Sequence, residues 1–260
     1  MSQPTTDKAG IRYEAAGPVA WVTLDRPAKL NAMSRAFWPG LRSAVQRATD
    51  DRDVRVVIFT GAGSCFSVGG DISTFGGLDD VAARRSFSDE CLQTLRLVEE
   101  LPKPTIAAVH GYAFGGGCEL TMVCDIVVAD ETALFATPEA AVGLMPGLGV
   151  VRGRAHSGLH WLKYLAFTGE RLDAQTARLA GLVTVLTPPG QHVAEAARLA
   201  GLIATKAPLA LSVAKRILGR GSDEGYAWSV EAVAMLHGTA DQAEGVQAFR
   251  DKRPPVFEGR

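Results

Sequence analysis

Three consecutive glycines stand where a predicted strand gives way to a predicted helix, in the segment GYAFGGGCEL at residues 111–120. The first amides of a helix have no partner within the helix, and the helix dipole adds partial positive charge there. Glycines let the backbone of such a turn approach a ligand closely. The segment is therefore predicted to hold an anion or a developing oxyanion on backbone amides. It is not a dinucleotide-binding fingerprint, because no G-x-G-x-x-G pattern fits it.

A second glycine pair occurs in GSCFSVGGDI, residues 63–72, shortly after the apolar run VRVVIFTG. A chain that leaves a buried strand turns at the carboxyl edge of the sheet, where ligands of open α/β sheets bind. Gly69 and Gly70 would let the backbone approach such a ligand, and Asp71 could cap the following turn. Taken alone, the segment is better interpreted as a tight turn with a capping aspartate.

Two glutamates lie near these segments along the chain. Glu119 falls in the first turn of the helix after the glycine run, and Glu139 follows Pro138 in the apolar segment FATPEAAVGLMPGLG at residues 135–149. Burial among apolar neighbours would raise the pKa of Glu139. Two carboxylates in one apolar pocket are suited to general acid–base catalysis. Spacing alone leaves their convergence open, and a favourable helix-end charge is an equally good interpretation of Glu119.

Other candidate sites are weaker. His156 and His160 stand four residues apart, but HSGLH lacks the glutamate of the H-E-x-x-H zinc motif, so a surface helix is favoured and no metal site is expected. The four cysteines form no C-x-x-C pair and are predicted to be small buried residues. The sequence has no G-x-S-x-G elbow, which argues against a serine hydrolase.

The elements around these segments alternate between strands and helices. Ser34 is predicted to cap a helix in which Phe37, Leu41, Val45 and Ala48 recur at helical spacing. Strands are predicted over residues 11–17, 19–27, 54–61, 105–111, 125–130 and 182–186. Further helices are predicted over residues 81–101, 117–124, 159–168, 174–180, 193–204, 209–218 and 224–236. This rhythm predicts a mainly parallel α/β fold.

The pattern changes along the chain, because the segment after about residue 200 is nearly all helix while every predicted strand precedes it. We therefore expect an α/β catalytic core over residues 10–200. We expect a helical region over residues 201–260 that covers the site and serves self-association.

Composition limits the class of partner. The chain has 260 residues with 27 basic and 28 acidic side chains and a net charge of −1, which gives no electrostatic footprint for nucleic acid. Its apolar runs fall short of the ~20 residues that a membrane helix requires. The N-terminal segment is polar and lacks the apolar stretch of a secretory signal. We expect a soluble cytoplasmic protein with neither nucleic acid nor membrane as partner.

Together the segments resemble the crotonase family, the enoyl-CoA hydratase/isomerase superfamily. LDRPAKLNAM (residues 24–33) resembles the family's N-terminal signature. CFSVGGDI (65–72) resembles its first oxyanion-hole segment, and GYAFGGGCELTMVCDIVVAD (111–130) resembles the second. FATPEAAVGLMPGLG (135–149) resembles the third segment, and FRDKRPPVFEGR (249–260) the usual C-terminal ending. The similarity runs from about residue 10 to the end of the chain.

The resemblance implies a spiral of ββα turns followed by a helical C-terminal region, assembled as a homotrimer or a dimer of trimers. It implies an acyl-CoA substrate whose thioester carbonyl lies between the backbone amides of Gly70 and Gly116. It also implies that coenzyme A enters as part of the substrate, with no permanently bound cofactor.

In the hydratase branch of this family, two glutamates activate a water that adds across the 2,3 double bond of a trans-2-enoyl-CoA. They match Glu119, which orients or deprotonates the water, and Glu139, which donates the proton to Cα. The remaining substrate-binding positions are Ala28, Lys29 and Leu30 along the coenzyme A moiety, Gly69, Asp71 and Ile72 in the first oxyanion-hole segment, and Gly147, whose amide helps to position the water.

Three positions depart from the hydratase pattern. The chain reads LGVVRGRA after Gly147, Gly70 stands where alanine is more usual, and His110 replaces a common asparagine. Hydration is the first expectation because both glutamates are present. Double-bond isomerisation, and hydrolysis or C–C cleavage of an acyl-CoA, are the alternatives within the family. A catalytically idle acyl-CoA-binding scaffold is the alternative without catalysis.

Overall fold

A computed structural model of the protein describes residues 5–6, 9–74, 81–147, 149–219 and 239–260. The strands in chain order are β1 (Thr5–Thr6), β2 (Ile11–Ala16), β3 (Val19–Leu24), β4 (Val56–Gly61), β5 (Thr105–Val109), β6 (Tyr112–Phe114), β7 (Ile126–Asp130), β8 (Leu134–Ala136), β9 (Leu172–Asp173) and β10 (Val185–Thr187). The helices are α1 (Phe37–Asp50), α2 (Val81–Glu100), α3 (Gly116–Met122), α4 (Gly149–Thr168), α5 (Ala174–Leu179), α6 (His192–Ala204), α7 (Pro208–Leu218) and α8 (Ala240–Asp251).

Seven strands form the main sheet, in the order β1-β2-β3-β4-β5-β7-β10. The neighbours from β3 to β10 pair in parallel, while β1, β2 and β3 pair antiparallel. This arrangement confirms the predicted mainly parallel α/β fold. The predicted strand over 182–186 is displaced towards the C-terminus, since β10 begins at Val185.

The continuous apolar runs of the central strands are explained by burial on both faces of the sheet. In β4, Val57 and Phe59 join the larger core under α1 and α2, whereas Val56 and Ile58 point to the opposite face. On that face, α6 covers the sheet with small residues such as Ala196. A strand with successive side chains on alternate faces must be apolar at every position when both faces are covered.

The chain repeats one structural unit, in which a strand of the main sheet is followed by a short strand or bridge and then by a helix. The second sheet has the order β6-β8-β9, and its strand β6 links β5 to α3. Single bridges take the place of such strands in the two preceding units, where Met33 pairs with Gly70 and Ser67 pairs with Ala113. This is the expected spiral of ββα turns, and it exists without a visible sequence repeat.

Most predicted helices within the described residues lie close to their expected positions, but α4 begins at Gly149, ten residues before the predicted range 159–168, and one cap is wrong. Phe37, Leu41, Val45 and Ala48 of α1 are all buried, as their spacing predicts. The N-cap of α1 is Ala36, which makes no side-chain capping bond, and Ser34 contributes only its carbonyl to the amide of Phe37. The helix therefore begins two residues later than a Ser34 cap would place it.

The histidine pair of HSGLH does not lie on one continuous helix. Gly158 interrupts α4 with φ 70° and ψ 162°, so His156 and His160 belong to different helical segments. The i, i+4 geometry that their spacing suggested is therefore lost, although both side chains are exposed. Their exposure agrees with the surface location that the sequence predicts for this pair.

Helices α6 and α7 follow the predicted ranges 193–204 and 209–218, while the helix predicted over 224–236 lies outside the described residues. Within the described residues, no single helix has the length and apolar content needed to cross a bilayer. The pair His192–Ala204 and Pro208–Leu218, bent by 111°, meets that requirement by length and composition only.

Candidate active site

The two glycine segments predicted from the sequence lie against each other. A Cβ atom added to Gly69 would stand 2.6 Å from the carbonyl oxygen of Phe114 and 3.0 Å from the amide nitrogen of Gly116. Gly69 also has φ +88°, a conformation that residues with a Cβ rarely adopt. Only glycine at this position lets the turn after β4 approach the start of α3 so closely.

Backbone pairing directs the amide of Gly70 away from its neighbouring segment. The amide of Met33 donates to the carbonyl of Gly69, and the amide of Asp71 donates to the carbonyl of Met33. In such a parallel bridge the residue between the two partners points its own N–H and C=O the other way. The Gly70 amide has no acceptor among the described residues.

The second amide belongs to the first residue of α3. Gly115 precedes the helix with φ 51° and ψ −125°, and its own amide donates to Ala136 of β8. The amide of Gly116 has no acceptor within the described part of the chain, as expected for the first turn of a helix. The amides of Gly70 and Gly116 thus have no acceptor among the described residues, and the two segments that carry them are in contact.

Gly115 also brings both glutamates to the glycine segments. A Cβ on Gly115 would lie 3.1 Å from Oε1 of Glu139, so the carboxylate reaches the turn itself. Glu119 lies on the first turn of α3, where its amide donates to the carbonyl of Gly115 at 2.9 Å. The charge of Glu119 also acts on the carboxyl group of Glu139, so the fold brings the two carboxylates near each other.

The local environment holds Glu139 near the midpoint of its titration at neutral pH. Burial, together with the charge of Glu119, raises the pKa of Glu139 to about 7. Oε2 of Glu139 is buried and has no hydrogen-bond partner among the described residues. Glu119 is itself only 8% exposed. A carboxyl group with a pKa near the working pH is suited to donating a proton.

Burial raises the pKa of the cysteine thiols beside the glutamates, which disfavours a nucleophilic role for them. Cys65, Cys118 and Cys124 are buried, as predicted, whereas Cys91 on α2 is partly exposed. Burial, with a contribution from nearby carboxylates, raises the pKa of Cys91 to about 12. Burial likewise raises the pKa of Cys118, which is flanked by the charges of Glu139 and Glu119.

Comparison with known proteins decides the family. The family model of enoyl-CoA hydratase/isomerase matches residues 14–260. The 2,3-dehydroadipyl-CoA hydratase of Escherichia coli is 36% identical over 93% of this chain and 96% of its own length. The chain belongs to the enoyl-CoA hydratase/isomerase family.

Other members of the enoyl-CoA hydratase/isomerase family match to a similar extent. The short-chain-enoyl-CoA hydratase of Clostridium acetobutylicum is 35% identical over 94% of this chain and 95% of its own length. The crystal structure of the enoyl-CoA hydratase from Bacillus anthracis superposes with a TM-score of 0.91 at 32% identity, covering 96% of this chain and all of that one. The crotonase fold inferred from the sequence segments is thereby confirmed.

In this family member, the exposed loop predicted to follow coenzyme A lies beside the first glycine segment. Pro27–Lys29 forms a short 3-10 turn, and Leu30 closes it in the left-handed conformation with φ 50°. Ala28, Lys29 and Leu30 are all exposed. The carbonyl of Leu30 accepts a hydrogen bond from the amide of Val68, which attaches the loop directly before Gly69.

Three further positions named from the sequence lie around this site. The Asp71 carboxylate faces Arg26 at 3.3 Å and accepts from Ser73, so it braces the turn that follows, as a capping residue would. Ile72 is 62% exposed. Gly147 packs against α2, where a Cβ would stand 2.8 Å from Cδ2 of Leu92.

Sequence reasoning missed Asn31, which ties the exposed loop to the first glycine segment. Asn31 is 2% exposed, and its side-chain nitrogen lies within hydrogen-bonding distance of the carbonyls of Ala62, Cys65 and Phe66. Its backbone carbonyl accepts from Ser67. An asparagine with φ +57° leaves no periodic signal in a sequence, so only the structure reveals this role.

Proposed function

We propose that the protein is an enoyl-CoA hydratase that adds water across the 2,3 double bond of a trans-2-enoyl-CoA. The observation that carries the proposal is the contact of the Glu139 carboxylate with Gly115, between the Gly69 turn and the start of α3. The site thus brings together two backbone amides that have no acceptor among the described residues and a carboxyl group with a pKa near 7. These are the parts that hydration of a conjugated thioester requires.

In the proposed mechanism the thioester oxygen accepts hydrogen bonds from the amides of Gly70 and Gly116. Addition of water at C3 develops enolate charge on that oxygen, and preorganised donors stabilise this charge more than the neutral carbonyl. Each such donor contributes about 3–4 kcal/mol to the transition state. No resident cofactor or metal enters this scheme.

The two glutamates divide the proton transfers. Ionised Glu119 orients the water and takes its proton as the oxygen bonds to C3, while protonated Glu139 gives its proton to C2. The product is a 3-hydroxyacyl-CoA, and exchange with solvent resets both carboxyl groups.

Ala28, Lys29 and Leu30 extend along coenzyme A, and Gly69, Asp71 and Ile72 form the neighbouring wall. Gly147 offers its amide to the water.

A spectrophotometric screen tests this function directly. We expect the protein to consume the conjugated absorbance of 2-enoyl-CoAs, with a product heavier by one water in mass spectrometry. Screening a series of chain lengths gives the preferred acyl group. Binding of every 2-enoyl-CoA without turnover would favour the idle scaffold, and turnover without gain of mass would favour isomerisation.

Replacing Glu119 by glutamine separates hydration from one-carboxylate chemistry. We expect kcat for hydration to fall by about 10²-fold, since the amide cannot accept the proton of water. Isomerisation of a 3-enoyl-CoA that requires only Glu139 would survive this change. Full retention of hydration in Glu119→Gln would contradict the two-glutamate mechanism.

We propose further that the core over residues 10–200 carries the site, and that the helical region over 201–260 covers it and joins subunits into a homotrimer or a dimer of trimers. A cytoplasmic location belongs to the same proposal. Light scattering on the eluting protein is expected to give three or six times the mass of one chain. A monomer that is fully active would contradict the proposed assembly.

A further inference from the structure

A largely buried polar cluster outside the glutamate pair contacts the loop that leads to the first glycine segment. It consists of Asp130 at the end of β7, His192 at the start of α6 and His110 directly after β5. The rings of His110 and His192 are stacked, with centroids 4.5 Å apart and an interplanar angle of 23°. The proposed mechanism assigns no step to any of these three residues.

The cluster is anchored at Asp130. Its carboxylate accepts hydrogen bonds from the backbone and hydroxyl of Thr132 and from the amide of Gly190. It also lies 3.1 Å from Nδ1 of His192, which is 7% exposed. The His192 ring therefore lies between the Asp130 carboxylate and the face of the His110 ring, and the stacked His192 ring packs against that face.

His110 holds the loop that leads to the first oxyanion amide at two points. Its carbonyl accepts from the amide of Phe66 at 2.8 Å, and its Nε2 lies 3.0 Å from the carbonyl oxygen of Gly63. A carbonyl can only accept, so Nε2 must carry the hydrogen in this contact. In the neutral ring Nδ1 is then unprotonated, and it is buried with no partner among the described residues.

A second residue, Asn31, also holds this loop, and it binds different carbonyl groups from those that His110 binds. Asn31 reaches the carbonyls of Ala62, Cys65 and Phe66, while His110 reaches that of Gly63 at the exposed tip. Ser67 connects this loop to the first glycine segment, because its hydroxyl accepts a hydrogen bond from the amide of Gly69. The next residue is Gly70.

We propose that His110 is a positioning residue for the reaction, which fixes the Gly70 amide through the Gly63 carbonyl while His192 holds its ring in place. The inference rests on the proposed function, because it assigns a catalytic consequence to the place of that amide. Misplacement of a catalytic group by about 1 Å can lower the rate by about 10²-fold. The family resemblance implies no such role for this position.

Two substitutions of His110 test the proposal. His110→Phe keeps the stacked ring and removes the donor, and we expect kcat to fall about tenfold while KM changes by less than about twofold. His110→Gln places an amide N–H near the position of Nε2 and is expected to restore most of kcat. His160→Phe, at an exposed histidine of α4, is the matched control and is expected to leave kcat unchanged.

Hydrogen exchange over residues 62–70 of the free protein supplies a readout that needs no turnover. We expect faster exchange in His110→Phe and normal exchange in His110→Gln. Equal kinetics in the two variants, or unchanged exchange in His110→Phe, would overturn the positioning role. If the native protein hydrates no enoyl-CoA, the proposed function fails while the exchange experiment still decides whether His110 orders the loop.

Nitrogen-15 spectra of the histidines give a further test without any substitution, which decides the matter should His110→Phe not fold. A hydrogen on Nε2 of neutral His110 is the expected result. A hydrogen on Nδ1 would exclude donation to Gly63 and would overturn the proposal.

Discussion

Glu139→Gln is expected to lower kcat for enoyl-CoA hydration by about 10³-fold, because the amide has no acidic proton to give to C2. KM should change little, since the amides of Gly70 and Gly116 and the exposed coenzyme A loop remain. In the native protein, kcat/KM should fall as the pH rises above about 7, where Glu139 loses its proton. Initial rates of hydration, measured between pH 5 and 9, test both effects.

The same substitution is expected to stabilise the protein at high pH. Folding raises the pKa of Glu139 from 4.5 to about 7, so the folded state binds more protons than the unfolded state between these values. The contribution of Glu139 to stability is therefore fully present below pH 4.5 and is lost as the pH rises through 7. Glutamine carries no charge and escapes this loss; the shift corresponds to about 3 kcal/mol, which solvent screening of the partly exposed carboxyl group lowers to on the order of 2 kcal/mol.

Urea unfolding at pH 5 and pH 8 tests whether the substitution that lowers kcat also raises the free energy of unfolding at high pH. The free-energy difference between Glu139→Gln and the native protein should be larger at pH 8. Glu131→Gln, at an exposed glutamate in the turn after β7, is the matched control and should change neither activity nor stability. A variant that hydrates normally, or a stability difference independent of pH, would show that Glu139 is not the buried acid.

Gly69→Ala is expected to destabilise the protein by about 3 kcal/mol and to lower kcat by at least about 10²-fold. The alanine must adopt φ +88°, and its Cβ meets the backbone of Phe114 and Gly116 at 2.6 and 3.0 Å. These are main-chain atoms that cannot rotate away, so the two segments must move apart. Separation changes the angle between the Gly70 and Gly116 amides.

Gly17→Ala isolates the part of this effect that comes from backbone strain. Gly17 has φ +58°, but a Cβ there meets nothing within 4 Å. We expect a loss of about 1 kcal/mol and full activity, because the turn between β2 and β3 is remote from the glycine segments. Denaturant unfolding and kcat of the two variants provide the comparison. Equal costs in both variants would mean that the contact of Gly69 with α3 is not tight.

The elements with strong periodicity were predictable, and those without it were not. The helical spacing of Phe37, Leu41 and Val45 predicts α1, and a run buried on both faces predicts β4. Strands β6 and β8 have three residues each, too few to show an alternation. Their strand geometry comes from pairing with each other, which is a long-range interaction.

The candidate site divides in the same way. The glycines at 69 and 115–117 are recognisable in the sequence, because few other residues tolerate positive φ or close contact with neighbouring atoms. Asn31, His110 and His192 are ordinary polar residues, and only their neighbours in space give them partners. The family resemblance identifies the two glutamates, but it does not show how far each is buried or which groups surround it.

The sequence by itself determined the alternation of buried strands and helices, the two glycine turns and the family to which the chain belongs. Tertiary structure decided that the Gly69 turn touches the start of α3 and that Glu139 reaches Gly115. It also decided the pKa of Glu139, which burial and the charge of Glu119 raise to about 7. Local patterns record what each residue prefers, whereas desolvation and the meeting of distant carboxylates depend on how the whole chain packs.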